Sequence, residues 1–438
     1  MNASCPALFL TAPASGQGKT TLTAALARLL RRQGKVVRVF KTGPDYLDPQ
    51  ILQQASGQAV EQLDMWMAGE AYCQNKLYEA AKLADLILIE GVMGMFDGTP
   101  SSADLAARFK LPMVIVMDVK GMAQTAAVVV AGLANYRQDV QVIGMIANHC
   151  STERHRELIE AALPENIPLL FSFKRDEQLA LPERHLGLVQ ANEVEAVLEE
   201  RFEAGADYLE AMGALEALAA LPEVSFDAAD VPEISAHLSG LKVGVAKDTA
   251  FSFIYEANLA LLRQMGAEIH FFSPLIDTSL PEVDALWLPG GYPELHAQRL
   301  SENKALLLDI KNFYAAGKAI LAECGGLLYC LQSLTDLDDH TYPMAGLLAG
   351  YGAMRGKRGC QGMQTARLPE GNVRAHAHHR SRSHGTPEPI AYGERQRHPA
   401  PGEAIYRHKG LTATYLHLFF PSNPKAIAQL FKPMGSEL

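Results

Sequence analysis

The stretch "TAPASGQGKTT", residues 11–21, is preceded by the apolar run "ALFLTA" (residues 7–12) and opens the helical pattern "TTLTAALARLLRRQG" (residues 20–34). Strand, glycine-punctuated loop and helix in that order are the context a phosphate-binding loop requires. Successive backbone N–H groups in such a loop surround a phosphate, and the helix N-terminus adds a favourable dipole. The full glycine spacing is not met, because Pro13 stands where the first glycine would be. The compact version remains, and it assigns Ser15, Gly16, Gln17, Gly18, Lys19, Thr20 and Thr21 to nucleotide binding. Lys19 is expected to reach the outer phosphates and Thr20 to bind Mg²⁺.

Outward from the loop, the apolar segments "KVVRVFK", "ADLILIEGV", "LPMVIVMDV" and "VQVIGMIANH" each precede a helical stretch. Apolar strands alternating with helices predict a mostly parallel sheet covered on both faces. Residues 193–220 read as helix, and residues 221–240, mixing Pro, Asp, Ser and Gly, read as a linker. A second alternation begins at "LKVGVAKD" and runs through "AEIHFFSP", "VDALWLPGG" and "KAILAEC". The expected organisation is therefore a phosphate-loop α/β domain over residues 1–220 and a second α/β domain over 241–438. Residues 343–410 are less regular, and the Arg- and His-rich segment 374–398 reads as mobile.

Ligands on parallel sheets bind at the carboxyl ends of the strands, so strand-end polar residues carry the weight. Glu90 ends "ADLILIE" and is placed to hold Mg²⁺. "KTGPDYLDP" supplies Lys41, Asp45, Tyr46, Leu47 and Asp48, and "GMFDG" supplies Asp97. Each acid alone is a common solvated loop or cap residue. Several beside a phosphate loop suit a metal and substrate site better, with Thr20, Asp48 and Glu90 on the metal side. Asp118 and Asn148 end the next two strands. The Asn148 amide offers a donor and an acceptor for a purine edge, or it is an ordinary turn residue.

In the second half, "AECGGLLYC" (residues 322–330) reads strand, sharp turn, helix. Ala322, Gly325 and Gly326 give Cys324 the small neighbours a nucleophile elbow needs, and the helix start after it is expected to favour the thiolate. His417 in "ATYLHLFF" is the candidate general base, against the alternative of a satisfied core histidine. Gly290 and Gly291 in "LWLPGGYPE" offer unhindered amides for an oxyanion. Cys330 reads as a buried thiol inside the helix.

Composition narrows the function classes. A formal net charge of −10 argues against nucleic acid as the main partner. No apolar run reaches membrane-spanning length and no leader pattern opens the chain, so a cytoplasmic enzyme with no membrane partner is expected. The six cysteines show no CxxC pair and no zinc spacing, and disulfides are not expected in that compartment.

The ordered set "SGQGKTT", "KTGPDYLDP", "EGVMGMFDG", "LPERHLGL", "LPGGYPELHA" and "AECGGLLY" resembles the cobyrinic acid a,c-diamide synthase family over nearly the full chain. The resemblance implies a dethiobiotin-synthetase-like ATP domain joined to a class I, triad-type glutamine amidotransferase domain. It makes Cys324 the glutaminase nucleophile and His417 its base. It implies ATP as cosubstrate with Mg²⁺, L-glutamine as nitrogen donor and a corrin polycarboxylate, cobalt-containing or metal-free, as acceptor facing Lys41 and the "PDYLDP" loop. A sheltered passage for ammonia is expected, and a homodimer is compatible with it. The chain departs from the family where His417 is followed by Leu418 and Phe419 rather than an acid two residues on. It departs again at "RAHAHHRSRS", where Ala375, Ala377 and His378 replace a glycine, a glutamate and an aromatic. Rival readings are amidation of another tetrapyrrole, such as a nickel sirohydrochlorin, an ammonia-dependent ligase with an inactive glutaminase half, and a nucleotide-driven switch. The switch reading expects a lysine at Ala14 and leaves the cysteine elbow without a use.

Overall fold

The computed structural model describes residues 1–174, 176, 178–181, 183–184, 187–188, 194–355 and 359–433. Residues 182, 185 and 186 of the "LPERHLGL" motif fall outside them. The chain divides into one compact unit over Met1–Val231 and another beginning at Pro232.

The first unit is built on strands β1 (Asn2–Thr11), β2 (Val37–Thr42), β3 (Glu61–Leu63), β4 (Leu86–Glu90), β5 (Pro112–Asp118), β6 (Gln141–Asn148) and β7 (Leu169–Ser172). Their order across the sheet is β3-β2-β4-β1-β5-β6-β7. All six neighbouring pairs are parallel. The central strands are buried on both faces, which is why they read as unbroken apolar runs. The phosphate loop and Glu90 leave adjacent strands at the same sheet edge, since Leu10 and Glu90 are register partners. Helix α1 (Lys19–Arg32) packs its Leu22, Leu26 and Leu29 into the core.

The boundary differs from the expected linker. Residues Glu223–Asp227 form a strand antiparallel to the start of β1, pairing Asn2 with Asp227 and Pro6 with Glu223. Val224 and Phe226 are buried while their neighbours face out, a period of two that the surrounding Pro and Asp residues obscure in the sequence.

The second unit begins with five parallel strands in the order Glu268–Phe272, Lys242–Ala246, Ala285–Leu288, Ala319–Glu323 and Leu411–Thr414. Antiparallel strands continue the sheet to ten, and Leu416–Leu418 closes the series by pairing with Gly371–His379. The segment expected to be mobile is largely ordered. Cys360–Leu368 and Gly371–His379 form a nine-residue antiparallel ladder, followed by strands Ser381–His384 and Ala391–Arg395. Val373, Ala375 and Ala377 point into the core, and alanine is too weak an apolar signal to announce that face in the sequence. Among the described residues no helix is long and apolar enough to cross a membrane. All six cysteines are free thiols.

Candidate functional site

The two units carry separate constellations. In the first, Gly18 caps α1 in the left-handed region (φ 89°), which a side chain would strain. A Cβ there would also stand 2.2 Å from Asn148 Nδ2. The loop between Ala14 and Gly16 is open to solvent, whereas Lys19 is buried and donates to the Met93 carbonyl at 2.9 Å. Burial lowers the Lys19 ammonium to about 8 against the pull of Glu90. Gln17 ties the loop to the ends of β5 and β6. Its side chain accepts from the Asp118 N–H at 2.8 Å, and its carbonyl accepts from Asn148 Nδ2 at 3.0 Å.

That arrangement answers the question over Asn148. Its Nδ2 donates to Gln17 and its Oδ1 accepts from the His149 N–H at 3.0 Å. The amide braces the phosphate loop, because β6 delivers it directly beneath Gly18, and these contacts use one of its two N–H groups and one of its two oxygen lone pairs.

Beneath the loop, the Glu90 carboxylate accepts from Thr20 Oγ1 at 2.8 Å and from Lys41 Nζ at 2.6 Å. Lys41 Nζ also donates to Asp48 at 2.5 Å. Lys41 is 3% exposed and Glu90 is fully buried. Lys41 is therefore not offered outward to a substrate but stands as the counter-ion between two carboxylates. Burial pulls its ammonium down, yet Asp48 and Glu90 together hold it above its ordinary value. Burial raises Asp48, but Lys41 together with the hydrogen bonds of Asp45 and Thr20 outweighs it, for a net decrease. Asp45 accepts from the Leu47 and Asp48 N–H groups, and burial with the neighbouring Asp48 charge pushes it up to about 7. Tyr46 is buried, Leu47 half-buried and Asp97 exposed. Asp97 accepts from the Gly94 N–H at 3.0 Å and so shapes its own loop.

Glu90 Oε2 is buried without a hydrogen-bond partner. An orphaned carboxylate oxygen beside Thr20 Oγ1 and Asp48, all hard oxygen donors, suits a small divalent cation. Lys41 occupies the position of a positive charge among the same groups.

In the second unit, Cys324 follows the strand Ala319–Glu323 with φ 47° and ψ −101°, outside the comfortable regions for an L-residue. Such strain, of order 1–3 kcal/mol, is sustained because the Cys324 N–H donates to the Thr414 carbonyl at 2.7 Å and the turn is packed on all sides. His417 lies three residues past Thr414. A Cβ on Gly290 would meet His417 Cε1 at 2.2 Å and Cys324 Cβ at 3.3 Å. Their sum, 5.5 Å, is an upper bound on the separation of those two atoms. Thus Gly290, Cys324 and His417 converge, and the Gly291 nitrogen faces the adjoining turn, 3.0 Å from where a Gly325 Cβ would sit.

The electrostatics differ from the expected thiolate. Burial, then the Glu294 charge, pushes the Cys324 thiol well up. Burial, then His376, His378 and His379, drives His417 well below its ordinary value. The helix after Cys324 spans only Gly325–Cys330, too short to offset the desolvation. Both shifts favour the uncharged forms, thiol and neutral imidazole. Cys330 ends that helix as a fully buried thiol.

Sequence reasoning passed over Glu323. Its carboxyl group accepts from Trp287 Nε1 at 2.9 Å and from the Leu418 N–H at 2.9 Å, so it anchors the strand that bears His417. The signal was present, an acid directly before the elbow cysteine, but nothing in the sequence says which strand it ties. His376 is likewise inside the site, as the register partner of His417.

Comparison with known proteins matches residues 8–189 to a CobQ/CobB/MinD/ParA nucleotide binding domain and residues 242–425 to a CobB/CobQ-like glutamine amidotransferase domain. Among curated proteins, a hydrogenobyrinate a,c-diamide synthase of Stutzerimonas stutzeri is 50% identical over 98% of this chain and 99% of its own length. A Pseudomonas aeruginosa protein of the same name is 48% identical over 98% of each chain. A cobyrinate a,c-diamide synthase of Herminiimonas arsenicoxydans is 46% identical over 97% of this chain and 96% of its own.

Proposed function

This chain belongs to the cobyrinate and hydrogenobyrinate a,c-diamide synthase family, and from that membership we propose how its two units divide one reaction. It is a glutamine-hydrolysing carbon–nitrogen ligase of cobalamin biosynthesis that converts the a and c acetate carboxylates of a corrin polyacid to amides at the expense of ATP. The observation that carries the division of labour is the meeting of Cys324 and His417 over a position only glycine can fill, in a unit separate from the phosphate loop.

In the amidotransferase unit, Cys324 Sγ attacks the side-chain carbonyl carbon of glutamine as its proton passes to His417. The amides around Gly290 and Gly291 stabilise the oxyanion. His417 then protonates the departing nitrogen, ammonia leaves, and a thioester remains. Water, deprotonated by His417, releases glutamate and restores the thiol. Because thiol and imidazole start neutral, proton transfer accompanies attack rather than preceding it. Glu323 acts as a positioning residue through the Leu418 backbone.

In the ATP unit, a corrin carboxylate oxygen attacks the γ-phosphorus and ADP leaves, giving an acyl phosphate. Ammonia attacks its carbonyl carbon, loses a proton and expels phosphate. Lys19 and the loop amides of Ser15–Thr21 spread the charge on the transferring group. Thr20, Asp48 and Glu90 would hold Mg²⁺, which supplies charge neutralisation on the phosphate oxygens when bound. Lys41 holds Asp48 and Glu90 together. Asp45, Tyr46, Leu47 and Asp97 border the corrin side.

Cys324→Ala tests the reading. Glutamine-dependent amidation should disappear while amidation with free ammonium at elevated pH persists. Retention of glutamine-dependent turnover, or equal loss with both nitrogen sources, would refute it.

A further inference from the structure

Beside the groups just described, three strands of the second unit bring a thiol, an imidazole and a carboxylate together. Cys360 and His379 are register partners on the long antiparallel ladder, and Glu403 comes from the strand Pro401–His408. One ligand atom from each lies within 4.8 Å of the others. We propose that Cys360, His379 and Glu403 form a binding site for a thiophilic divalent transition metal of the zinc type, separate from the hard-oxygen site of Thr20, Asp48 and Glu90.

The state of His379 points to a cation. Its side chain is 6% exposed. Its Nδ1 lies 3.0 Å from the Ser381 carbonyl, an acceptor only, so Nδ1 carries the hydrogen. Its Nε2 is buried and faces Glu403 Oε2 at 3.2 Å, a separation at which a cation can bridge ring and carboxylate. A backbone carbonyl fixing the tautomer of a ligating histidine is the usual outer arrangement of a metal site.

The surroundings hold the three groups in place. The His379 ring is stacked on Tyr415 with centroids 4.0 Å apart and planes at 15°. Gln364, 1% exposed, directs Nε2 at Cys360 Sγ (3.6 Å) and accepts the Glu403 N–H through Oε1 (2.9 Å). Tetrahedral zinc with bonds of about 2.0–2.3 Å separates its ligand atoms by about 3.3–3.8 Å. The His379–Glu403 pair is already at that spacing, and the Cys360 sulfur lies within 4.8 Å of both. Burial, then the Glu403 carboxylate, pushes the Cys360 thiol up to about 11, and a bound cation would displace its proton. One sulfur and one nitrogen among three donors disfavour Mg²⁺ and Ca²⁺. The fourth position is left to water or a small ligand.

The test uses the full chain stripped with a chelator, with Co²⁺ as spectroscopic probe and Zn²⁺ titrated against a chromophoric competitor. One Co²⁺ per chain should bind with a near-ultraviolet thiolate-to-cobalt charge-transfer band. That band should survive in Cys324→Ser and vanish in Cys360→Ser, whose Zn²⁺ affinity should fall at least about 100-fold. Glu403→Gln should keep the band and weaken Zn²⁺ by about tenfold or more. Near-ultraviolet circular dichroism checks that each variant is folded. No charge-transfer band in the folded wild-type chain would overturn the proposal and leave a plain His379–Glu403 ion pair. A band that persists in Cys360→Ser, or is lost only in Cys324→Ser, would overturn it as well.

Discussion

Gly290→Ala isolates the glutaminase geometry from everything else the chain does. Gly290 is not in the left-handed region, so the backbone itself accepts alanine. The cost is contact. The new methyl would stand 2.2 Å from His417 Cε1 and 2.9 Å from Nδ1. Carbon pairs settle at about 3.5–4.0 Å, so the imidazole must retreat by about 1.3 Å or more. A misplacement of about 1 Å in a reacting group costs on the order of 100-fold in rate, or about 2.7 kcal/mol of activation free energy. The assay compares kcat/KM for glutamine with kcat/KM for free ammonium, at saturating ATP and corrin polyacid. Glutamine-dependent amidation should fall about 100-fold and ammonium-dependent amidation should hold within twofold. A glutamine rate within threefold of wild type would show that His417 does not need its place beside Cys324, and the mechanism would fail.

Three other outcomes follow from the same geometry. The pH profile of glutamine hydrolysis should lack an inflection near the ordinary histidine value of about 6.5, because His417 stays neutral well below it; an acid limb at or above that value would contradict this. Lys41→Met removes the cation between Asp48 and Glu90, a buried break worth about 3–5 kcal/mol. The variant's melting point should drop and recover in part with Mg²⁺; an unchanged melting point would deny Lys41 its counter-ion role. Glu323 is raised by burial to about 8, so the folded chain holds a proton that the unfolded chain releases near the ordinary carboxylate value. Its contribution to stability is therefore full below the unfolded value and is lost as pH rises through about 8. Glu323→Gln should flatten that slope in urea denaturation and cost about 1–3 kcal/mol, since an amide cannot accept from both Trp287 and Leu418. A slope equal to wild type would place the titration elsewhere.

The parts of this molecule that were legible in its sequence share one property: their chemistry is local. A strand, a turn and a helix start lie within about a dozen residues at the phosphate loop and again at Cys324, so order along the chain already specifies the arrangement. Parallel strands buried on both faces likewise announce themselves as apolar runs. What depends on register stayed hidden. Nothing in "KTGPDYLDP" tells that Lys41 turns inward to Glu90, because that depends on β2 lying beside β4 with Lys41 opposite Glu90. Asn148 has the chemistry of a base reader, and only the approach of β6 to Gly18 turns it into a brace. The segment 374–398 read as mobile because small and charged residues mask a buried face that exists only once the ladder with Cys360–Leu368 is formed.

The departures from the family pattern are best understood through the same registers. The family's glutamate near the ladder's end is Ala377 here, and no acid stands two residues after His417. An orienting group for His417 must therefore come from elsewhere in space. Glu323 supplies one through the backbone: it accepts from the Leu418 N–H, and the Cys324 N–H one residue on donates to Thr414, so Cys324 and His417 are both tied to one short segment. Orientation through the main chain spends the Glu323 carboxyl on the Leu418 N–H rather than on the imidazole. With His376 opposite it in register and His378 close enough to raise the cost of a second positive charge, the imidazolium is disfavoured until the substrate's developing oxyanion is there to balance it. A buried neutral thiol is a poor target for stray electrophiles. On the proposed mechanism, then, the site is quiet until the glutamine amide is bound.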